Sequence, residues 1–419
     1  MNQIDILKDE IYKWDNAQKI CDLIIWAAVD YGSSDIHIEP MSNVVRVRYR
    51  VDGLLKEIVE YQSFIHAQIV ARYKILSNLK IDESRMPQDW RISININWKW
   101  LDLRVSTLPT VFWEKIVMRI VDKSKKIPEL AVLWIEWHNW DVLDKAINQP
   151  NWIVLTSWPT WSWKSTTLYS CLINLNKPDV NIMTLEDPVE NTLDWINQSQ
   201  VFPDINYTFA SWLRTALRQD PDIIMVWEIR DRETINIAIE ASLTWHLVLS
   251  TIHTNSAAET ITRILNMWIP SYLLPASINA IMAQRLIRRL CKHCKKAVSF
   301  EEIDPKLKDQ VKKTIWRISK DELKRRLWDD AFANPKFFEP VGCEHCENSW
   351  YAWRVWIYEV MEITPILKEA IVKWESSFVM NEAAIEWWMI SLEMDWIIKT
   401  MCWHTSLEEA YSAVKENNN

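Results

Sequence analysis
The stretch Thr156–Thr167 reads Thr-Ser-Trp-Pro-Thr-Trp-Ser-Trp-Lys-Ser-Thr-Thr. With glycine at Trp158, Trp161 and Trp163 it becomes G-P-T-G-S-G-K-S, a complete phosphate-binding loop of the Walker A type. In such a loop successive backbone N–H groups turn inward around the phosphates, backed by a helix N-terminus. Glycine is needed because the chain takes positive φ and the phosphate lies too close for a Cβ. A tryptophan held there is strained by roughly 1–3 kcal/mol, and its indole fills the nucleotide's own space. The flanks fit the motif. Ile153–Leu155 form an apolar strand before it, Lys164 is placed for the β/γ-phosphates, and Ser165 for Mg²⁺. Trp158, Pro159, Thr160, Trp161, Ser162, Trp163 and Thr166 complete the expected nucleotide-binding set.

Composition resolves the conflict. The chain has 28 Trp and 3 Gly in 419 residues. Glycine at its usual 7% predicts about 29, close to the 31 that Trp and Gly make together. One glycine codon translated as tryptophan accounts for this, and UGA, which a few bacterial lineages read as glycine, is the candidate. Most tryptophan positions are therefore read here as glycine.

The net charge of −8 gives no global footprint for nucleic acid or anionic lipid. No apolar run reaches the length of a membrane span, and the acidic amino terminus is unlike a signal peptide. Seven cysteines, an odd number, do not make a disulfide scaffold. A cytoplasmic protein of two or three domains is expected.

Met1–Cys21 has the pattern of an amphipathic helix. Val45–Val51 alternates apolar residues with Arg46, Arg48 and Arg50, so it reads as a strand with one charged face, closed by an Asp52-Gly53 turn. A second such pair is expected, with a turn at Asp89-Trp90 leading into Ile92–Ile96, another turn at Trp98–Trp100, and a strand over Leu101–Thr107. The first region is thus a small α+β domain presenting arginines. From Asn151 apolar strand, loop and helix alternate, the rhythm of a parallel α/β sheet. Asn181–Glu190 ends a strand in carboxylates, and Asp220–Asp231 runs an apolar strand into Glu228, as a Walker B segment does. His246–Asn255 is a third buried strand with His253 at its end. A lone histidine is more often a core residue, but this one sits beside two strands that end in acids.

Cys291-Lys-His-Cys294 and Cys343-Glu-His-Cys346 are two knuckles able to supply a tetrahedral thiolate site for Zn²⁺. Such a site is structural, since four protein ligands leave no open position. His293 and His345 are alternative ligands. The long Lys/Glu-rich segment between the knuckles reads as a helical insertion.

Together these residues resemble the secretion-superfamily ATPases that drive type IV pilus assembly and type II secretion. The resemblance runs from about Ser34 to Cys294 and resumes from Gly342 to the end. It is carried by S-D-I-H-I-E-P, P-Q-D-W-R, D-L-R-V-S-T-L-P-T, the Walker A loop, E-D-P-V-E, D-P-D-I-I-M-V-W-E-I-R-D, S-T-I-H-T-N and the segment Gly342–Glu359. Several of these fit only with glycine at their tryptophans. The tetracysteine favours the assembly and secretion types over the retraction type.

The resemblance implies a RecA-like P-loop core with a PAS-like α+β domain before it and a small zinc-binding and helical region after it. The expected divisions are 1–125 for the PAS-like domain, 126–150 for a linker helix, 151–290 for the ATPase core, 291–350 for the tetracysteine subdomain and 351–419 for a C-terminal helical region. An additional amino-terminal docking domain is not expected. It also implies a homohexamer using ATP, Mg²⁺ and Zn²⁺, at the inner face of the cytoplasmic membrane. Its partners would be an inner-membrane platform protein and a docking protein of the cytoplasmic ring, with no nucleic acid. By motif, Lys164 and Ser165 bind phosphate and Mg²⁺, Glu186 polarises the attacking water, Glu228 assists through Mg²⁺ and His253 senses the γ-phosphate. Arg91 and Arg104 act as arginine fingers. The alternatives are a type II secretion ATPase, a nucleic-acid motor on the same core, and a non-catalytic scaffold if the tryptophans are real.

Overall fold
The computed structural model describes residues 3–13, 16–51, 53–96, 99–122, 126–157, 164–202, 205–327 and 335–415. It divides into two compact units, Met1–Lys126 and Ile127–Asn419.

The first unit begins with two helices where one is expected, α1 (Gln3–Lys13) and α2 (Ala17–Asp30). Asn16 separates them because its side chain accepts from the N–H groups of Gln18 and Lys19, the geometry of an N-cap. Strands β1 (Asp35–Pro40), β2 (Val44–Val51) and β3 (Leu54–Gln62), helix α3 (His66–Leu76), and strands β4 (Gln88–Ile96), β5 (Lys99–Pro109) and β6 (Glu114–Asp122) follow. The strands form one antiparallel sheet in the order β3-β2-β1-β6-β5-β4. Period-two patterning decides its faces. Val45, Val47 and Tyr49 are buried with Ile36, Ile38, Leu103 and Met118, and the Tyr49 hydroxyl donates to the Ile24 carbonyl at 2.7 Å. The opposite face carries the arginines. There Glu39 accepts from Arg48 Nε and Nη2 at 2.7 and 2.9 Å and from Lys115 at 2.9 Å. Asp89 and Trp90 lie within β4, opposite Ser106 and Val105, so the turn expected there is strand. Gly53 turns the chain between β2 and β3 at φ 88°, as expected.

The second unit contains α4 (Trp137–Ile147), β7 (Trp152–Ser157), α5 (Lys164–Leu175), β8 (Ile182–Glu186), β9 (Asn197–Gln200), α6 (Phe209–Ala216), β10 (Ile223–Val226), α7 (Arg232–Leu243), β11 (Leu247–Ile252), α8 (Ala257–Asn266), α9 (Leu274–Ser277) and β12 (Ile278–Leu290). Then come β13 (Lys295–Val298), α10 (Pro305–Ile315), α11 (Lys320–Arg326), β14 (Phe337–Pro340), β15 (Tyr351–Glu362), α12 (Pro365–Val372), α13 (Ser377–Glu386), α14 (Leu392–Met401) and α15 (Leu407–Lys415). The main sheet has the order β15-β12-β7-β11-β10-β8-β9, parallel from β12 to β9 with β15 antiparallel at one edge. Every residue of β10 and β11 is buried, because helices cover both faces.

The expected linker helix contains α4, which belongs to the second unit, where Asn139 donates to the Tyr358 carbonyl. Tyr351–Glu362 is not helical but a strand of the main sheet, because its alternating apolar residues pair along β12. The helical insertion between the cysteine knuckles is present as α10 and α11. It is anchored by Arg326, whose buried guanidinium bonds Glu322 at 2.7 Å and Asp395 at 2.5 Å.

Sixteen described residues other than glycine have positive φ, and eleven of these are tryptophans: Trp134, Trp137, Trp152, Trp195, Trp245, Trp268, Trp350, Trp353, Trp374, Trp388 and Trp403. The remaining five are Asn78, Asn206, Asn348, Asp220 and Glu347. Asparagine and aspartate tolerate the left-handed region; a bulky aromatic there is an outlier.

Candidate nucleotide site and metal centre
Parallel order brings the motif-bearing strand ends to one edge. β7 ends at Ser157 and α5 starts at Lys164, leaving six residues for the phosphate loop between a strand and a helix N-terminus. Trp158, Pro159, Thr160, Trp161, Ser162 and Trp163 lie outside the described residues, as do the side chains of Lys164 and Ser165. Thr166, half-buried in the first turn of α5, accepts the Ser170 hydroxyl at its carbonyl. Next to β7 lies β11, then β10, then β8, so His253, Glu228 and the Glu186–Glu190 turn follow at the same ends.

Glu228 stands just beyond β10, its carboxylate bonded to Arg230 and 3.3 Å from His253 Nε2. Burial would raise this acid, but the hydrogen bonds from His253 and Arg230 outweigh burial and hold it at about 2. Arg230 also approaches Asp187 at 3.8 Å. Asp187, Arg230, Glu228 and His253 thus form one chain of polar contacts across three strand ends. The sequence reading assigned roles only to the last two, although Asp187 and Arg230 stand inside the same motifs.

Glu186 differs from its expectation. Its carboxylate is 0% exposed and accepts from Tyr169 of α5, from Thr184 at 2.7 Å and from Gln198 of β9 at 2.9 Å. Burial pushes its carboxyl above the usual range. These contacts join α5, β8 and β9 around the Glu186 carboxylate. Glu190, four residues on, is half-buried at the same strand end, with its backbone N–H donating to the Tyr169 hydroxyl at 3.2 Å. Ligands of open α/β sheets bind in the crevice beyond the carboxyl ends of the strands, the end at which this turn lies.

Arg91 and Arg104 belong to the first unit, directly opposite each other on β4 and β5, with Arg119 next along the same row. Arg91 is bonded to buried Asp102, which also accepts from Ser93 at 2.7 Å.

The four knuckle cysteines converge although 52 residues separate Cys291 from Cys343. Their sulfurs all lie within 4.8 Å of one another, with 3.8 Å for Cys291–Cys343, Cys294–Cys346 and Cys343–Cys346. A tetrahedron of thiolates about 2.3 Å from Zn²⁺ has edges of about 3.8 Å, so the donor set fits this ion. All four are free thiols. His293 and His345 face each other at 4.4 Å on the exposed side, and the sulfur set is complete without them.

A parallel sheet with a strand–loop–helix phosphate frame, and acids and a histidine on the neighbouring strand ends, defines a RecA-like P-loop core. The chain belongs to the type II/IV secretion system protein family, whose model matches residues 13–410. It is 43% identical over 390 residues to the type IV pilus assembly ATPase PilB of Pseudomonas aeruginosa, covering 93% of this chain and 66% of that protein. It is 38% identical over 400 residues to the type II secretion system ATPase E of Vibrio cholerae, covering 95% of this chain and 75% of that protein. The chain therefore spans two thirds to three quarters of these relatives' length. Its fold matches the pilus retraction motor PilT with bound ADP at a TM-score of 0.61, with 22% identity and 94% of this chain and 97% of that one covered. The Legionella pneumophila ATPase DotB matches at 0.66, with 19% identity and 94% and 95% covered. Among the described residues no helix is long and apolar enough to cross a membrane.

Proposed function
We propose that this chain is an ATP-hydrolysing motor of type IV pilus assembly, working as a homohexamer at the inner face of the cytoplasmic membrane against a membrane platform protein. The observation that carries the reading is the convergence of the phosphate-loop frame, Glu228 and His253 on one edge of the sheet. The 43% identity to a pilus assembly ATPase supplies the substrate class. Lys164 and Ser165 would hold the phosphates and Mg²⁺, Glu228 would act through the ion, and His253 would sense the γ-phosphate. Glu190 replaces Glu186 as the group that polarises water, since Glu186 is enclosed. Arg91 and Arg104 would act as arginine fingers.

This function requires glycine at Trp158, Trp161 and Trp163. The eleven tryptophans at positive φ support glycine recoding, since each occupies backbone that glycine adopts without strain. The test is phosphate release by two chains, one as written and one with glycine at those three positions. The glycine chain should hydrolyse ATP and lose this with Lys164→Ala, whereas the chain as written should not bind nucleotide. Undiminished turnover in Lys164→Ala, or none in the glycine chain, overturns the proposal. Type II secretion uses the same chemistry, and the platform protein that co-purifies with the chain separates the two.

A further inference from the structure
The first N–H groups of a helix have no partner within it. At α8 and α14 one of these is taken by the same side chain. Glu359, in the middle of β15 and 3% exposed, accepts from the Ala257 N–H through Oε1 at 2.8 Å and from the Leu392 N–H through Oε2 at 3.1 Å. Each helix already has its own serine cap, Ser256 on α8 and Ser391 on α14. Each serine takes the third N–H of its helix, and Glu359 takes the first of both. Burying a carboxylate costs free energy, and burial pushes the Glu359 carboxyl up, opposed by the two bonds from the helix ends and by the Arg285 charge. The result is a joint between two helices far apart in sequence.

One arm of the joint leads to the nucleotide site. α8 begins four residues after His253, and the intervening turn is gripped at each step. The Ser157 hydroxyl donates to the Thr254 carbonyl at 2.6 Å, Glu259 accepts the Asn255 N–H at 3.0 Å, and Arg285 donates to the Asn255 carbonyl at 3.0 Å. Ser157 is the last residue before the phosphate loop. The other arm is α14, whose Asp395 and Lys399 form a buried pair at 2.9 Å. An unbroken run of bonds therefore links the His253 turn to α14.

We infer that Glu359 is a positioning residue for ATP hydrolysis, fixing the His253 turn relative to Glu228 and making α14 move with α8. This rests on the ATPase reading above. The test compares Glu359→Gln with its parent in the glycine-bearing full chain. The variant keeps the shape but lacks the charge, and turns an amide N–H₂ toward one of two donors. kcat should fall on the order of ten- to a hundredfold, with KM for ATP and ADP affinity unchanged. Amide exchange should rise at whichever of Ala257 and Leu392 faces the amide N–H₂, because the other N–H keeps an acceptor oxygen. Parental kcat in a folded variant, or exchange unchanged at both helices, overturns the inference. If the parent itself turns over no ATP, the ATPase reading fails and the exchange experiment still decides the joint. If Glu359→Gln does not fold, Arg285→Met releases the grip on Asn255 and removes the positive charge facing Glu359, while leaving its two acceptor oxygens. It should lower kcat without raising exchange at Leu392, and an unchanged kcat there counts against the inference.

Discussion

Glu228 Oε2 and His253 Nε2 approach to 3.3 Å from the ends of adjacent parallel strands. The pairing keeps Glu228 ionised and orients an imidazole that is otherwise exposed. His253→Ala and Glu228→Gln should each lower kcat on the order of a hundredfold, and the double variant should be much less than additive. Additive losses in the kinetic cycle would show that the two act separately. The same pairing predicts a direction with pH. The Glu228 carboxyl titrates at about 2 when folded, against the ordinary 4.5. Its contribution to stability is therefore full above 4.5 and lost as pH falls toward 2. Thermal unfolding followed down that range should show a smaller acid loss in Glu228→Gln.

Glu186 and Glu190 should separate by kind of defect. Glu186→Gln removes an acceptor from a buried cluster of three donors and should destabilise the fold by about 1–3 kcal/mol. Glu190→Gln should leave the melting temperature near the parent and abolish turnover. A stable but inactive Glu186→Gln, with an active Glu190→Gln, would return the water-polarising role to Glu186.

The cysteine site should carry one zinc per chain by elemental analysis of the purified protein. Cys294→Ser, or exhaustive chelation, should release it and loosen the β13–β14 pair, which directly adjoins the knuckles. Purified protein with four titratable thiols at the knuckles and no metal would rule the site out.

Trp195 and Trp268 test the backbone argument away from any site. Both sit at positive φ, 63° and 62°, and their side chains are largely exposed, so little packing is lost on truncation. Trp195→Gly and Trp268→Gly should each stabilise the chain by up to about 1–3 kcal/mol. Alanine at either position should gain less, because its Cβ keeps the strain. Equal gains from glycine and alanine in denaturant melts would remove the conformational part of the case for recoding.

The motifs, the parallel core and the paired knuckles were legible because each is local. An apolar run bounded by a turn, a lysine after a loop, or a C-x-x-C spacing is written in consecutive residues, and the sheet merely sets these ends side by side. The alternation in Val45–Val51 likewise marked a charged face before any fold was drawn. The missed features depend on what lies next to a residue across the chain. Glu186 looked catalytic because it is an acid at a strand end, but its enclosure comes from Tyr169 and Gln198 on other elements. Glu359 looked like any strand glutamate, since nothing near it in sequence reveals two helix ends converging on its carboxylate. Asp89-Trp90 read as a turn by its type, yet pairing with β5 extended it. The sequence by itself determined the repertoire: a phosphate loop, acids, a histidine, four thiols and a shortage of glycine. Only the tertiary structure decided which of those groups are open to solvent and which are enclosed. Burial and hydrogen-bond partners are set by the packing of distant segments, whereas residue type and spacing are set by the chain alone.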